Sequence, residues 1–486
     1  MKRISACLLL FVFALACTGL AKSSKPRPSV RVDRDRLASL VDSVITAEMA
    51  REKFPGAGFI FVQNGKVVWS RGYGLSDVAR GAGVSPDSTV WRIGSISKAV
   101  TATAVVQLAD RGKIDLDAPV DRYVKRVAIP KTYPEPVTVR HLLTHTAGFD
   151  EIRPGTQAGT KEGVLPLDRF LDGRLVRVRP PGETIAYSTY GITLAGLVVE
   201  EVSGLSFEEY LRRNIWEPLG MKRSSINVPG VLQGDVAVGY ELEGDSLVAQ
   251  RWEWYHSTPA SSVNGTLADV GRFMIAHLEG GAGGEGGRGR GRRILSQKAA
   301  NEMKRRQFGM HPSIPGYCLG FNEDFVGKQR VVEHGGNMAG FSTLMVLIPE
   351  ARAGFFVVNH FEGSGLRDHL KGALLDRFFP ASRERHTVPD PAPRAETVNA
   401  SRFAGEYGAL PSCWSCDPPR IWGKLTVTAN DDGTLSFTGK RWTWVDSNRF
   451  VREGGTGYIV FREDEKGAVR ELHAGAYWGW QRLSPP

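Results

Sequence analysis

The sequence predicts an α/β (α+β) domain built on one antiparallel sheet with helices against it, followed by a small all-β, barrel-like domain. Three observations carry this. Two apolar runs flank Asn64-Gly65 early in the chain, and strand-like apolar runs return only at Ser342 to Ile348 and Gly354 to Val358. Helical spacing fills much of the interval, which suits a sheet with helices inserted between its strands. Beyond a proline-rich stretch, short alternating runs separated by turn clusters take over.

In chain order, Lys2-Arg3, the apolar run Ile4 to Cys17 and the small residues up to Ala21 follow the order of parts of a signal peptide. Residues 1–21 are therefore expected to direct export to a periplasmic or extracellular location. Ala14-Leu15-Ala16 before Cys17 leaves a lipid anchor at Cys17 open beside simple cleavage. The first domain is expected over 30–380. Its opening hairpin turns at Asn64-Gly65, two residues that tolerate the positive φ of a type I′ turn. A helix is expected from Ser95 to Ala109, stopped near Gly112, with Ser95 at its start. Further helices are expected at Leu194 to Ser203 and Ser206 to Ile215.

Residues 381–397 contain Pro389, Pro391 and Pro393 among charges and read as a linker. From 398 to 486, runs such as Leu425 to Thr428, Leu435 to Thr438, Trp442 to Val445 and Tyr458 to Phe461 read as short strands of a β domain. Its tryptophans either pack its core or line a ligand cavity.

At 486 residues the chain exceeds what one core usually serves, and 42% apolar with 23% charged residues is ordinary for a globular protein. The formal charge of +10 invites a polyanion partner. However, part of the excess lies in the leader and part in Arg288, Arg290, Arg292 and Arg293, beside the glycine-rich run Gly280 to Gly291. No basic helix or aromatic-interleaved strand set accompanies it, so nucleic acid is not expected and weak attraction to an anionic cell envelope is. Cys413 and Cys416 form either a small structural disulfide or two free thiols. His141 and His145 share a helical spacing but are expected to make structural hydrogen bonds rather than bind metal.

Ser95-Ile96-Ser97-Lys98 carries the chemistry. A serine hydroxyl is a poor nucleophile until a base takes its proton. Residues three apart share a helix face, so Lys98 can reach the Ser95 hydroxyl. Its ordinary pKa of about 10.4 would leave the amine charged, and burial or nearby cations lower it. Of all the lysines, only Lys98 has a serine at that spacing.

With Trp91-Arg92-Ile93-Gly94 before it, Ser95-x-x-Lys98 resembles the first motif of the serine β-lactamase-like superfamily: class C β-lactamases, low-molecular-weight penicillin-binding proteins, D-aminopeptidases and related esterases. Tyr187-Ser188-Thr189, between Pro181-Gly182-Glu183 and Gly191, resembles the second. His334-Gly335-Gly336, followed by Gly340-Phe341-Ser342, resembles the third. Val139 to Gly148 and Pro218-Leu219-Gly220-Met221 are similar to other family stretches, and the resemblance covers roughly residues 40 to 375.

It implies an added all-helical subdomain, no metal and no organic cofactor. It also implies a covalent Ser95 acyl-enzyme with Lys98 as base and Tyr187 as proton shuttle. The backbone N–H groups of Ser95 and Asn337 would hold the oxyanion, and Thr189, His334, Gly335 and Gly336 would contact substrate. Expected substrates are small esters, D-amino-acid peptides or amides, or peptidoglycan fragments; the rival is a non-hydrolytic, penicillin-binding or receptor-like protein of the same fold. Two departures weigh on substrate. Thr189 stands where the family commonly has Asn, and its hydroxyl offers fewer hydrogen bonds. His334 stands where many members have Lys; a mostly neutral ring attracts a substrate carboxylate less, so ester or peptide hydrolysis is expected ahead of β-lactam hydrolysis. The oligomeric state is left open.

Overall fold

The computed structural model describes residues 30–151, 154–226, 228, 230–283, 292–383, 398–455, 457–476 and 478–483. The expected leader with Cys17, most of the linker, and Arg288 and Arg290 lie outside the described residues.

The first domain is organised on a seven-stranded antiparallel sheet. Its strands are β1 (Gly56–Gln63), β2 (Lys66–Asp77), β3 (Ala82–Gly83), β4 (Asn322–Val326), β5 (Gln329–Met338), β6 (Phe341–Ile348) and β7 (Ala353–His360), in spatial order β4-β5-β6-β7-β1-β2-β3. β1 and β2 join through Asn64 and Gly65 at φ 50° and 76°, the left-handed pair that a type I′ turn requires.

Every residue of β1, β6 and β7 is buried, because helices cover both faces of the sheet. Side chains alternate across a strand. Phe59 and Phe61 therefore join the core formed with α1 (Arg34–Glu52) and α5 (Leu366–Phe378), while Ile60 and Val62 join the opposite core with α2 (Ser97–Asp110) and α4 (Leu267–Leu278). Full burial of side chains of this size contributes about 1.5–3 kcal/mol each.

α2 is buried from Ser97 to Leu108, as expected of a helix that is apolar on all sides. It sits between the sheet and a helical layer comprising Val139–Leu143, Leu167–Leu171, α3 (Thr189–Ser203) and Phe207–Leu211, all contributing to one core. Three helix boundaries differ from the sequence expectation: α3 begins five residues before Leu194, at Thr189. Ser95 lies in the 3-10 turn Gly94–Ile96 that leads into α2, and Phe207–Leu211 continues into a π-helical turn, Arg212–Trp216.

The second domain is a closed eight-stranded antiparallel barrel running from Gly405–Ala409 to Trp478–Arg482. Its first strand pairs with its last through Tyr407↔Arg482 and Ala409↔Trp480, which leaves no open edge. Phe403, Tyr407, Phe450 and Phe461 fill the interior. Cys413 and Cys416 form a disulfide, resolving the two readings of that pair. Trp442 packs inside against Phe437, whereas Trp478 is 58% exposed.

Candidate active site

Three segments distant in sequence meet at one cleft. The first is the turn carrying Ser95. Gly94 adopts φ 56°, a conformation costly for other residues, and a Cβ there would lie 3.2 Å from the Asn337 backbone N and O. Ser97 Oγ donates to Gly94 O (2.6 Å) and accepts from Val263 N (3.0 Å), fixing the entry to α2. Lys98, one turn on, is 2% exposed; its Nζ donates to Ser95 Oγ (3.1 Å) and to Ala260 O (2.9 Å).

The second segment brings Tyr187 to the mouth of α3. Ser188 caps that helix, its Oγ accepting from Gly191 N (3.1 Å). The Lys98 Nζ lies 4.7 Å from the Tyr187 ring centroid. Behind the phenol stands His145, whose ring is 4.4 Å from that of Tyr187 and whose Nδ1 accepts from Ser188 N (3.1 Å). His145 thus positions the tyrosine. His141 instead accepts from Thr138 N through Nδ1 and closes a capping box, so the two histidines make separate structural hydrogen bonds. Among the described residues no group of three or more His, Cys, Asp or Glu is placed to hold a metal ion.

The third segment is β5. A Cβ on Gly336 would fall 2.3 Å from Ile93 O and 3.0 Å from Ser95 N, so only glycine lets this strand run against the Ser95 turn. Thr343 Oγ1 donates to Ile93 O (3.1 Å) and ties β6 to the same turn. His334 is buried, with Nδ1–H donating to Gly335 O (2.7 Å). Burial, reinforced by the nearby Lys98 charge, pushes its imidazole down to about 3, so the ring is neutral at ordinary pH.

These segments enclose a cleft of about 440 Å³ whose lining includes Ser95, Tyr187, His334, Gly335, Gly336 and Asn337. Thr189, by contrast, is the first residue of α3 and is not among the lining residues; its N–H donates to Glu151 Oε2 (2.8 Å). Two contributions were missed in the sequence. Arg367, at the start of α5, lines the cleft and donates to Asn337 Oδ1 (2.8 Å). The barrel supplies Ala474, Gly475, Ala476 and Trp478, so the second domain walls the first domain's cleft. Neither had a local signal, since each depends on a long-range approach.

The barrel is seated by specific contacts. The Asp150 carboxylate accepts from Trp414 N (3.0 Å) and Ser415 N (2.7 Å), inside the disulfide-closed turn. Arg179 donates to Gln481 Oε1 (2.8 Å), and Ala476 packs with Ile185 and Tyr317.

A serine and lysine in contact, a tyrosine beside the lysine and a glycine strand across from them thus meet at one cleft. Residues 41–376 match the Beta-lactamase family, and the chain belongs to that family, whose members are generally serine hydrolases. Among relatives, the chain is 26% identical to Protein flp of Staphylococcus aureus (strain MW2) over 345 residues, 69% of this chain and 66% of that protein. It thus spans about two thirds of that relative's length. The octameric penicillin-binding protein homologue from Pyrococcus abyssi matches 91% of this chain and 99% of its own at a TM-score of 0.60 and 24% identity. The crystal structure of SurE matches 93% and 99% at a TM-score of 0.64 and 22% identity. These two are likenesses of fold.

Proposed function

We propose that the protein is a serine hydrolase that transfers an acyl group to Ser95 and then to water. The supporting observation is the 3.1 Å contact between Lys98 Nζ and Ser95 Oγ inside an open cleft. When the amine is neutral, the same contact runs the other way: the Ser95 hydroxyl donates its proton to Lys98 as Oγ attacks the acyl carbon. The N–H groups of Ser95 and Asn337, on segments held together by Gly94 and Gly336, receive the oxyanion. Tyr187, beside Lys98, passes the proton to the leaving group, and water then releases the acyl chain by the reverse transfers.

Substrates are small esters and D-amino-acid peptides or amides, with peptidoglycan fragments in the same class. A neutral His334 favours these over β-lactams, and the shorter Thr189 side chain offers a substrate amide fewer hydrogen bonds than an asparagine would. Export to a cell envelope accords with such substrates.

Purified protein should form a covalent adduct with a fluorophosphonate or fluorescent penicillin and turn over a nitrophenyl ester. Ser95→Ala should abolish the adduct, and Lys98→Ala should slow turnover by about 10²–10⁴-fold. Folded protein that labels with neither probe would falsify the reading. Labelling without turnover would favour a non-hydrolytic penicillin-binding role.

A further inference from the structure

On the other side of the nucleophile turn lies a second cavity, of about 370 Å³, which shares no lining residue with the Ser95 cleft. Its wall includes Arg92, Gln250, Trp252, Trp254, Ala339 and Phe341. That volume falls within the range of small-molecule sites.

Arg92 is the informative residue. It is 4% exposed and lies on the short strand Trp91–Arg92, yet its one side-chain hydrogen bond among the described residues is Nη2 to Glu253 O (2.8 Å). Its guanidinium lies 4.5 Å from the Trp252 ring centroid and 5.9 Å from that of Tyr255. The nearby Glu253 carboxylate, which accepts from Gln157 Nε2 (2.6 Å) and the Tyr255 hydroxyl (2.5 Å), favours the cation through its charge but makes no direct ion pair with it. A buried guanidinium normally pairs directly with a carboxylate, because removal from water is costly. Here, among the described residues, no carboxylate is in direct contact with it, and it lines the cavity.

The remaining charges on the wall do not supply that partner. Asp77 is taken by Arg80 Nε (2.6 Å), and Arg251 adds another positive charge, leaving an excess of cation. Trp252 and Trp254, with ring centroids 5.7 Å apart, provide aromatic surface beside it. A cation with unused donors next to indole faces recognises a flat ring bearing an acid group.

We propose that this cavity is a second binding site, for a small aromatic carboxylate that pairs with Arg92 and lies against Trp252 and Trp254. Its wall shares two chain segments with the catalytic cleft: Arg92 precedes Ser95 on one, and Ala339 follows Asn337 on the other. Occupancy therefore shifts the two backbone donors relative to each other and changes turnover. That coupling rests on the hydrolase reading; the binding itself does not.

The test titrates 2-naphthoate into the full-length Ser95→Ala protein by calorimetry and tryptophan fluorescence, with uncharged 2-naphthylmethanol as the control. Saturable one-to-one binding of naphthoate is expected, about tenfold or more tighter than the alcohol. A similar loss of affinity is expected in Trp252→Ala and in Arg92→Gln, each checked by its melting curve. Should Arg92→Gln not fold, Trp252→Ala, at a half-exposed position, carries the comparison. Absence of binding at millimolar naphthoate, equal binding of acid and alcohol, or unchanged affinity in Trp252→Ala overturns the proposal. So does strictly competitive inhibition of nitrophenyl ester turnover by naphthoate in the unsubstituted protein, which would put the ligand in the catalytic cleft. Failure of turnover with naphthoate binding intact would instead count against the hydrolase reading alone.

Discussion

At the scale of single residues, the site depends on what is absent as much as on what is present. Gly336 has no side chain because Ile93 O and Thr343 Oγ1 would stand 2.3 Å and 2.5 Å from its Cβ. Gly336→Ala should therefore cost about 1–3 kcal/mol by overpacking. It should also lower kcat by about 10²-fold, since the strand is pushed away from the Ser95 turn and the oxyanion donors part. Thermal melts and steady-state kinetics on a nitrophenyl ester check both; an unchanged kcat in a folded variant would show that the close approach is not used. Ser95 and Lys98 were legible because their spacing is a local property of one helix. Tyr187 was legible only through the order of motifs. His145 was read as structural, but that it stacks on Tyr187 could not be seen, because that contact joins two loops far apart in the chain.

At the scale of elements, turn chemistry was the most readable signal. Asn64-Gly65 specified its hairpin because both residues accept positive φ, and the turn clusters of the second domain marked its short strands. Helix starts were less readable: Ser95 enters through a 3-10 turn that no propensity distinguishes from the first turn of an α-helix. The approach of the barrel hairpin Ala474 to Trp478 to the cleft had no sequence signal at all. That hairpin offers a specific expectation. Trp478 is 58% exposed, so Trp478→Ala should leave stability within about 0.5 kcal/mol. The KM for esters with a bulky acyl or leaving group should change by roughly tenfold, and that for acetyl esters much less. Equal effects on large and small substrates would show that the hairpin does not bound the substrate.

At the scale of the whole molecule, four buried histidines set the response to acid. Burial pushes His277 and His334 down to about 3 and His360 to about 4, and holds His145 well below the ordinary value. In each case the folded state prefers the neutral ring. Their contribution is fully present above the unfolded value near 6.5 and is lost as pH falls toward the folded values. At pH 5, His277, His334 and His360 each disfavour the fold by about 2 kcal/mol relative to neutral pH. The melting temperature should drop steeply between pH 6.5 and 4.5, as followed by circular dichroism; a flat profile would mean the rings protonate without opening their surroundings.

The pairing of β1 with β7 has a consequence in time. β5, the strand bearing Asn337, pairs with β6, β6 with β7 and β7 with β1, so within the sheet it is joined to the amino-terminal hairpin through two strands that follow it in the chain. On the proposed acyl-transfer reading, a fragment that ends before β5 lacks the Asn337 donor, and labelling of Ser95 should begin only once the sheet is whole.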